Sequence, residues 1–208
     1  MNSLDNFKIY TWCNSLDKYD YWLSRNKEYC QQYGYDYEIF TDRTIAKFTP
    51  TWEKVVYAKK LLSEHDMIMW IDADAHFVSE HADDFRKFLV ELKKPLTISE
   101  DKGYQRYDQV NAGVFILKNE PWSHDFLDLW DQNSKFERKY FELGQTLGKI
   151  WRFQDQNALR WMFLNNLNNI ESNSEIIKYG KLQSFANYNG YIYHTAGRGD
   201  KMKQIKPF

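Results

Sequence analysis

Hydrophobic and polar positions follow two rhythms along this chain. Phe7-Lys8-Ile9-Tyr10-Thr11-Trp12 alternates and is rich in strand formers, which predicts a first strand. From Asp17 to Tyr33 the large residues Tyr21, Trp22, Tyr29 and Tyr33 recur at helical spacing, and Gly34 marks a stop. Tyr35 to Thr41 alternates again and predicts a second strand. Trp52 to Leu62 reads as a helix that Thr51 would cap. An apolar run then ends at Asp72, giving the order strand, helix, strand, helix, strand. Chains of this order build parallel sheets with right-handed crossovers. Beyond Asp74, helices are predicted over Asp83–Leu92, Pro121–Trp130 and Asp155–Leu164, with strands over Leu96–Ser99 and Val110–Leu117. Glu100 to Gln109 reads as a loop, and the tail from Tyr188 to Phe208 as mostly loop. No repeat or linker interrupts the chain, so one α/β domain is expected, with a mixed, mostly parallel central sheet flanked by helices.

The sharpest break in the pattern lies at Met67-Ile68-Met69-Trp70-Ile71-Asp72-Ala73-Asp74-Ala75. An uncharged run of strand length stops at two carboxylates separated by one alanine. Open α/β sheets bind ligands at the carboxyl ends of such strands. Hard cations take one or two carboxylates and complete their shell with substrate phosphates. The segment therefore points to a cation and diphosphate site, and so to a nucleotide-activated substrate.

Composition narrows the classes. The net charge of −1 predicts no nucleic-acid partner and no general attraction to an anionic membrane. Two cysteines, Cys13 and Cys30, make neither a disulfide framework nor a zinc site, and a reducing compartment is the default. The first residues lack the order of a signal peptide, and no run approaches a membrane span, so a cytoplasmic protein is expected, with peripheral membrane association left open. Aromatic residues make up 18% of the chain. Most, Trp52 included, read as core. His65, His76, His81 and His124 read as surface or loop residues.

Four segments carry candidate chemistry: Asp72-Ala73-Asp74, Asn111-Ala112-Gly113-Val114-Phe115, Asp155-Gln156-Asn157-Ala158-Leu159 and His194-Thr195-Ala196-Gly197-Arg198-Gly199-Asp200-Lys201. In this order, together with Trp52-x-Lys54, they resemble nucleotide-sugar glycosyltransferases of the GT-A (Rossmann-like) fold. The resemblance is to glycosyltransferase family 34, the galactosyl/xylosyl/mannosyltransferase group, and more distantly to the glycogenin-like group. It runs from about Phe7 to Lys201.

The resemblance implies that Asp72 and Asp74 bind Mn²⁺ or Mg²⁺ and that His194 completes the set. Nitrogen beside two carboxylates suits Mn²⁺. Gly197 would let the backbone approach the phosphates, and Arg198 or Lys201 would neutralise the diphosphate, since Asp200 occupies the step where relatives often carry lysine. Asn111 would face sugar and acceptor. Asp155 would orient donor hydroxyls, and Gln156 would stabilise positive charge at the anomeric carbon. Tyr10, Thr11, Trp12, Asp42 and Lys54 would belong to the nucleotide side. The implied activity is metal-dependent, retaining transfer from a nucleoside-diphosphate sugar, with UDP favoured, to a saccharide or glycolipid acceptor in surface polysaccharide or lipopolysaccharide synthesis. Residues 1–110 would form the nucleotide half and 111–208 the acceptor half.

Two other classes compete. A sugar-binding module with a similar fold but no catalysis would suit the aromatic content. A haloacid-dehalogenase-type phosphatase also has Asp-x-Asp after a strand, but near the chain start and followed by Thr or Val, whereas Ala75-His76 follows here. Donor-dependent release of a nucleoside diphosphate separates a transferase from both.

Overall fold

Strand β1 (Phe7–Trp12) is buried at all of its positions, because helices cover both faces of the sheet it belongs to. The computed structural model describes residue 4 and residues 6–45, 49–101, 110–135, 154–185 and 188–195. Helix α1 (Leu16–Tyr33) leaves β1 and ends at Gly34, whose φ of 73° is left-handed and whose N–H closes onto Cys30 O. Strand β2 (Asp36–Phe40), helix α2 (Glu53–Leu62) and strand β3 (Met67–Ile71) follow, so the five-element order read from the sequence holds. Next come β4 (Ala75–Phe77), α3 (Ala82–Glu91), β5 (Leu96–Glu100), β6 (Val110–Lys118) and α4 (Pro121–Gln132). The described elements end with α5 (Asp155–Leu164), α6 (Ile170–Asn173), β7 (Ser174–Ile177), β8 (Gln183–Ser184) and β9 (Ile192–His194).

The main sheet has the order β2-β1-β3-β6-β5-β7. Its pairs are parallel except where β6 lies between β3 and β5, so β6 alone runs against the others. The sheet is therefore mixed and mostly parallel. Alternate strand residues feed two cores. Tyr10, Ile68, Trp70 and Phe115 pack with α2, α4 and α5 through Val55, Trp130 and Met162. Ile9, Met69, Val114 and Ile116 pack with α1 and α3 through Tyr29, Phe85 and Leu89. Each fully buried large side chain contributes roughly 1.5–3 kcal/mol, so the two-sided cover dominates the stability of the strands.

A second sheet, β4-β9-β8, places Ala75 opposite His194. Its β4 edge is completed by a side chain. Asn26 of α1 donates Nδ2 to Ala75 O at 2.9 Å and accepts Phe77 N–H on Oδ1 at 3.1 Å, as a neighbouring strand would. Among the described residues, no helix is long and apolar enough to cross a membrane.

Two expectations are corrected. Thr51 does not cap α2. It lies in a 3₁₀ turn, Pro50–Trp52, that precedes the helix, with its hydroxyl on that of Thr49 at 3.0 Å. Within the tail expected to be mostly loop, the short strand β9 (Ile192–His194) inserts between β4 and β8. His76 is not a surface residue but is 1% exposed in β4, with Nδ1 on Phe77 O at 2.8 Å and Tyr21, Tyr188 and Tyr193 around it.

Burial pulls the His76 imidazole down to about 4, with Arg25 adding to the effect against the Phe77 carbonyl and Glu80. The unfolded chain binds this proton at its ordinary pKa near 6.5, so unfolding takes up a proton between those values. Stability from this group is complete above about pH 6.5 and is lost as pH falls towards 4, by roughly 3 kcal/mol in total. His76→Phe removes the term. The difference between wild-type and variant urea midpoints is expected to change between pH 7 and pH 4.5, and an unchanged difference would refute the assignment.

Candidate functional site

Chain β1 crosses to β2 on one side, and the chain then returns to β3 on the other. The strand order reverses there, and helices departing in opposite directions leave a crevice at the carboxyl ends of β1 and β3. A cleft of about 680 Å³ opens at this point. Trp12, Lys54, Asp72, Ala73, Asp74, Asn111, Asp155, Gln156 and His194 all line it, although they come from six separate stretches of chain.

Asp72 and Asp74 leave β3 on the turn into β4, where Ala75 N–H closes onto Asp72 O at 3.0 Å. The β4–β9 register then brings His194 beside them. One ligand atom from each of the three lies within 4.8 Å of the others. His194 Nε2 is 3.2 Å from Asp74 Oδ1 and 3.6 Å from Asp72 Oδ2. The second polar atom of each residue is tied back to the protein. Asp72 Oδ1 accepts from Trp70 Nε1 at 2.7 Å and from Lys54 Nζ at 3.3 Å. Asp74 Oδ2 accepts from the Thr195 hydroxyl at 3.0 Å. His194 Nδ1 lies 3.0 Å from Gln183 Oε1. Three ligand atoms are thus aimed at one point by outer partners, the arrangement that orients metal ligands. Two carboxylate oxygens and one imidazole nitrogen fit a divalent cation of the Mn²⁺ type.

The charges agree with that fit. Burial pulls the His194 imidazole down, but the hydrogen bond and charge of Asp74, with Asp72 behind it, hold it above the ordinary range. Burial and the neighbouring acids raise Asp72 against the pull of Lys54 and His194. A cation at this face competes with a proton.

Lys54 sits between the acids. Its Nζ is 2.8 Å from Asp155 Oδ2, donates to Ala112 O at 3.0 Å, and lies 5.2 Å from the Trp70 ring centre. Burial lowers this ammonium, but Asp155 and Asp72 outweigh the effect and leave it above the usual lysine range. Asp155 opens α5, with its carbonyl fixed by Trp130 Nε1 at 2.9 Å. Asn111 Oδ1 accepts Gly113 N–H at 2.8 Å, while its Nδ2 reaches Asp101 Oδ1 at 3.4 Å. Asp101 also lines the cleft and is paired with Arg160.

Gln156 lines the cleft, and its Oε1 accepts Ala112 N–H at 3.1 Å, which ties the side chain to β6. Tyr10 and Thr11 do not reach the cleft. Both are buried in the sheet, and Tyr10 instead donates its hydroxyl to Lys54 O at 3.0 Å. Asp42 is exposed and is not among the lining residues. Its backbone carbonyl accepts from Trp12 Nε1 at 2.8 Å and from the Tyr57 hydroxyl at 2.9 Å, so it sets the indole. Gly197, Arg198 and Lys201 lie outside the described residues.

The sequence reading gave no role to Trp70 or Thr195, although both lie in segments it singled out, and it missed Gln183 and Asp101. Trp70 stands two residues before Asp72, the spacing that puts side chains on one face of a strand, so a signal existed. Gln183 and Asp101 carried none.

A family model described as the galactosyl transferase GMA12/MNN10 family matches residues 80–197, more than half of the chain. The match contains Asn111, Asp155, Gln156 and His194, while Asp72 and Asp74 precede it. Over 191 residues the chain is 26% identical to "Probable glycosyltransferase 7" of Oryza sativa subsp. japonica, covering 85% of this chain and 41% of that protein. It is 25% identical over 156 residues to galactomannan galactosyltransferase 1 of Cyamopsis tetragonoloba, covering 66% of this chain and 34% of that one. The chain thus spans less than half the length of these curated relatives. Its fold is similar to that of a glycosyltransferase involved in glycosylation of the major capsid of PBCV-1, with a TM-score of 0.66 at 12% identity, over 95% of this chain and 100% of that one.

Proposed function

The chain belongs to the galactosyl transferase GMA12/MNN10 family and has a GT-A fold, and from that premise we propose that it transfers a sugar from a nucleoside-diphosphate donor to a saccharide acceptor with the help of a divalent cation. The observation that carries this reading is the convergent face of Asp72, Asp74 and His194 at the strand-order reversal. A cation held there would supply positive charge beside the leaving diphosphate. Lys54 fixes Asp72 and Asp155 relative to each other, so the cation side and the sugar side of the cleft keep one geometry. Asp155 would then orient donor hydroxyls, with the Gln156 NH₂ and Asn111 completing the polar wall around the sugar. Arg198 or Lys201 would add charge at the diphosphate. A UDP-sugar, Mn²⁺ and retention of the anomeric configuration are the preferred details, on family analogy. Family membership removes the phosphatase alternative.

Thermal unfolding with UDP or GDP, each with and without Mn²⁺, tests this. A ligand at a hundred times its Kd stabilises by about 2.7 kcal/mol. For a chain of this size that is a rise of roughly 5–10 °C. The rise is expected to need Mn²⁺, to favour UDP, and to vanish in Asp74→Ala. Absence of any rise with either nucleotide would remove the donor reading, and a rise without sugar transfer would favour a binding module.

A further inference from the structure

We propose that Gln183 is a positioning residue for the cation site, holding His194 with its proton on Nδ1 so that Nε2 is the nitrogen turned to the cation. The proposal rests on the reading of Asp72, Asp74 and His194 as a cation-binding face.

Strand β8 brings Gln183 alongside β9, in register with Ile192. The residue is fully buried, and the one side-chain hydrogen bond described for it joins its Oε1 to His194 Nδ1 at 3.0 Å. Its Nε2 has no partner among the described residues. A buried amide donor left unpaired costs roughly 1–3 kcal/mol. Leucine or methionine would fill similar space without that penalty, so packing alone does not account for glutamine here. What the amide adds is a contact with one nitrogen of one imidazole.

That contact has a direction. A carboxamide oxygen only accepts, so the nitrogen it faces carries hydrogen. The other nitrogen, Nε2, faces Asp74 Oδ1 and Asp72 Oδ2. A cation held among those oxygens would meet Nε2, while Gln183 Oε1 would keep the ring orientation through Nδ1. The surroundings hold the ring in the same pose. Gly113 lies close enough that a Cβ there would come within 2.2 Å of His194 Cε1, and Phe185 packs edge-on at 5.2 Å between ring centres. Outer partners of metal-bound histidines typically change metal affinity by 10–100-fold.

Titration of the full chain with Mn²⁺ alone, read by the EPR signal of free Mn²⁺, tests the proposal. Gln183→Leu, with Gln183→Met as a second apolar variant, is expected to weaken Mn²⁺ binding roughly 10–100-fold while melting no lower than the wild type. Gln183→Glu, which accepts but does not donate, is expected to keep affinity within a few-fold and to keep the histidine nitrogen coupling in pulsed EPR. Wild-type affinity in both apolar variants would overturn the proposal. So would loss in Gln183→Glu equal to that in Gln183→Leu, because the amide would then act as a donor or as packing. Failure of the wild type to bind Mn²⁺ would instead defeat the cation reading on which the proposal stands.

Discussion

Lys54→Met is expected to destabilise the protein by roughly 3–5 kcal/mol and to reduce donor-dependent sugar transfer by about a hundredfold or more. The side chains of Lys54 and Asp155 are 6% and 5% exposed and lie 2.8 Å apart. Methionine replaces the stem of the lysine but not its charge. Asp155 then keeps a buried carboxylate with no counter-ion among the described residues, and Ala112 O loses the ammonium that satisfies it. Removing one partner of such a pair is far worse than removing both, so Lys54→Met with Asp155→Asn is expected to recover much of the stability and none of the activity. Urea unfolding measures the first part and nucleoside diphosphate release the second. A single variant within 1 kcal/mol of the wild type would show that the ammonium is not the buried counter-ion that its distances indicate.

The same residue shows where sequence reading stopped. Lys54 was legible as a site residue from Trp52-x-Lys54, but its place between two acids depends on α2 lying against β3 and on α5 being packed against β6 and α4, which no local pattern encodes. The strands and helices were legible because each face of the main sheet is covered, so apolar runs and helical stripes were long and clean. Strands β4, β8 and β9 have two or three residues each, too few to establish a rhythm. His76 was read as a surface or loop residue because it has no partner at metal spacing, although it is buried in β4 with Tyr21, Tyr188 and Tyr193 around it. Asp42 was placed on the nucleotide side, and the contacts described for it run through its backbone carbonyl, a group every residue has and no sequence advertises. Asp72 and Asp74 were readable because they interrupt an apolar strand. The pairing of Ala75 with His194, which completes the set, joins positions more than a hundred residues apart.

Gly113→Ala is expected to weaken Mn²⁺ binding and sugar transfer by at least tenfold, although the change adds one methyl group away from any reacting atom. A Cβ on Gly113 would come within 2.2 Å of His194 Cε1, 2.8 Å of His194 Nδ1 and 2.9 Å of Asn111 Oδ1. Contacts that short do not occur, so the imidazole or the strand must move. The strand is the stiffer choice. Gly113 O accepts Asp72 N–H at 2.8 Å, and the flanking residues of β6 are fully buried. Displacement of His194 turns Nε2 away from Asp74, while a shift of β6 carries Asp72 with it. Either response opens the cation face. Overpacking of this kind also costs about 1–3 kcal/mol of stability. A double-mutant cycle with His194→Ala separates the two causes. With the imidazole gone, most of the collision goes too, and Gly113→Ala is expected to be nearly neutral for stability in that background. An equal loss of stability with and without the imidazole would place the strain on Asn111 and the strand, and would mean that glycine here serves β6 rather than the histidine.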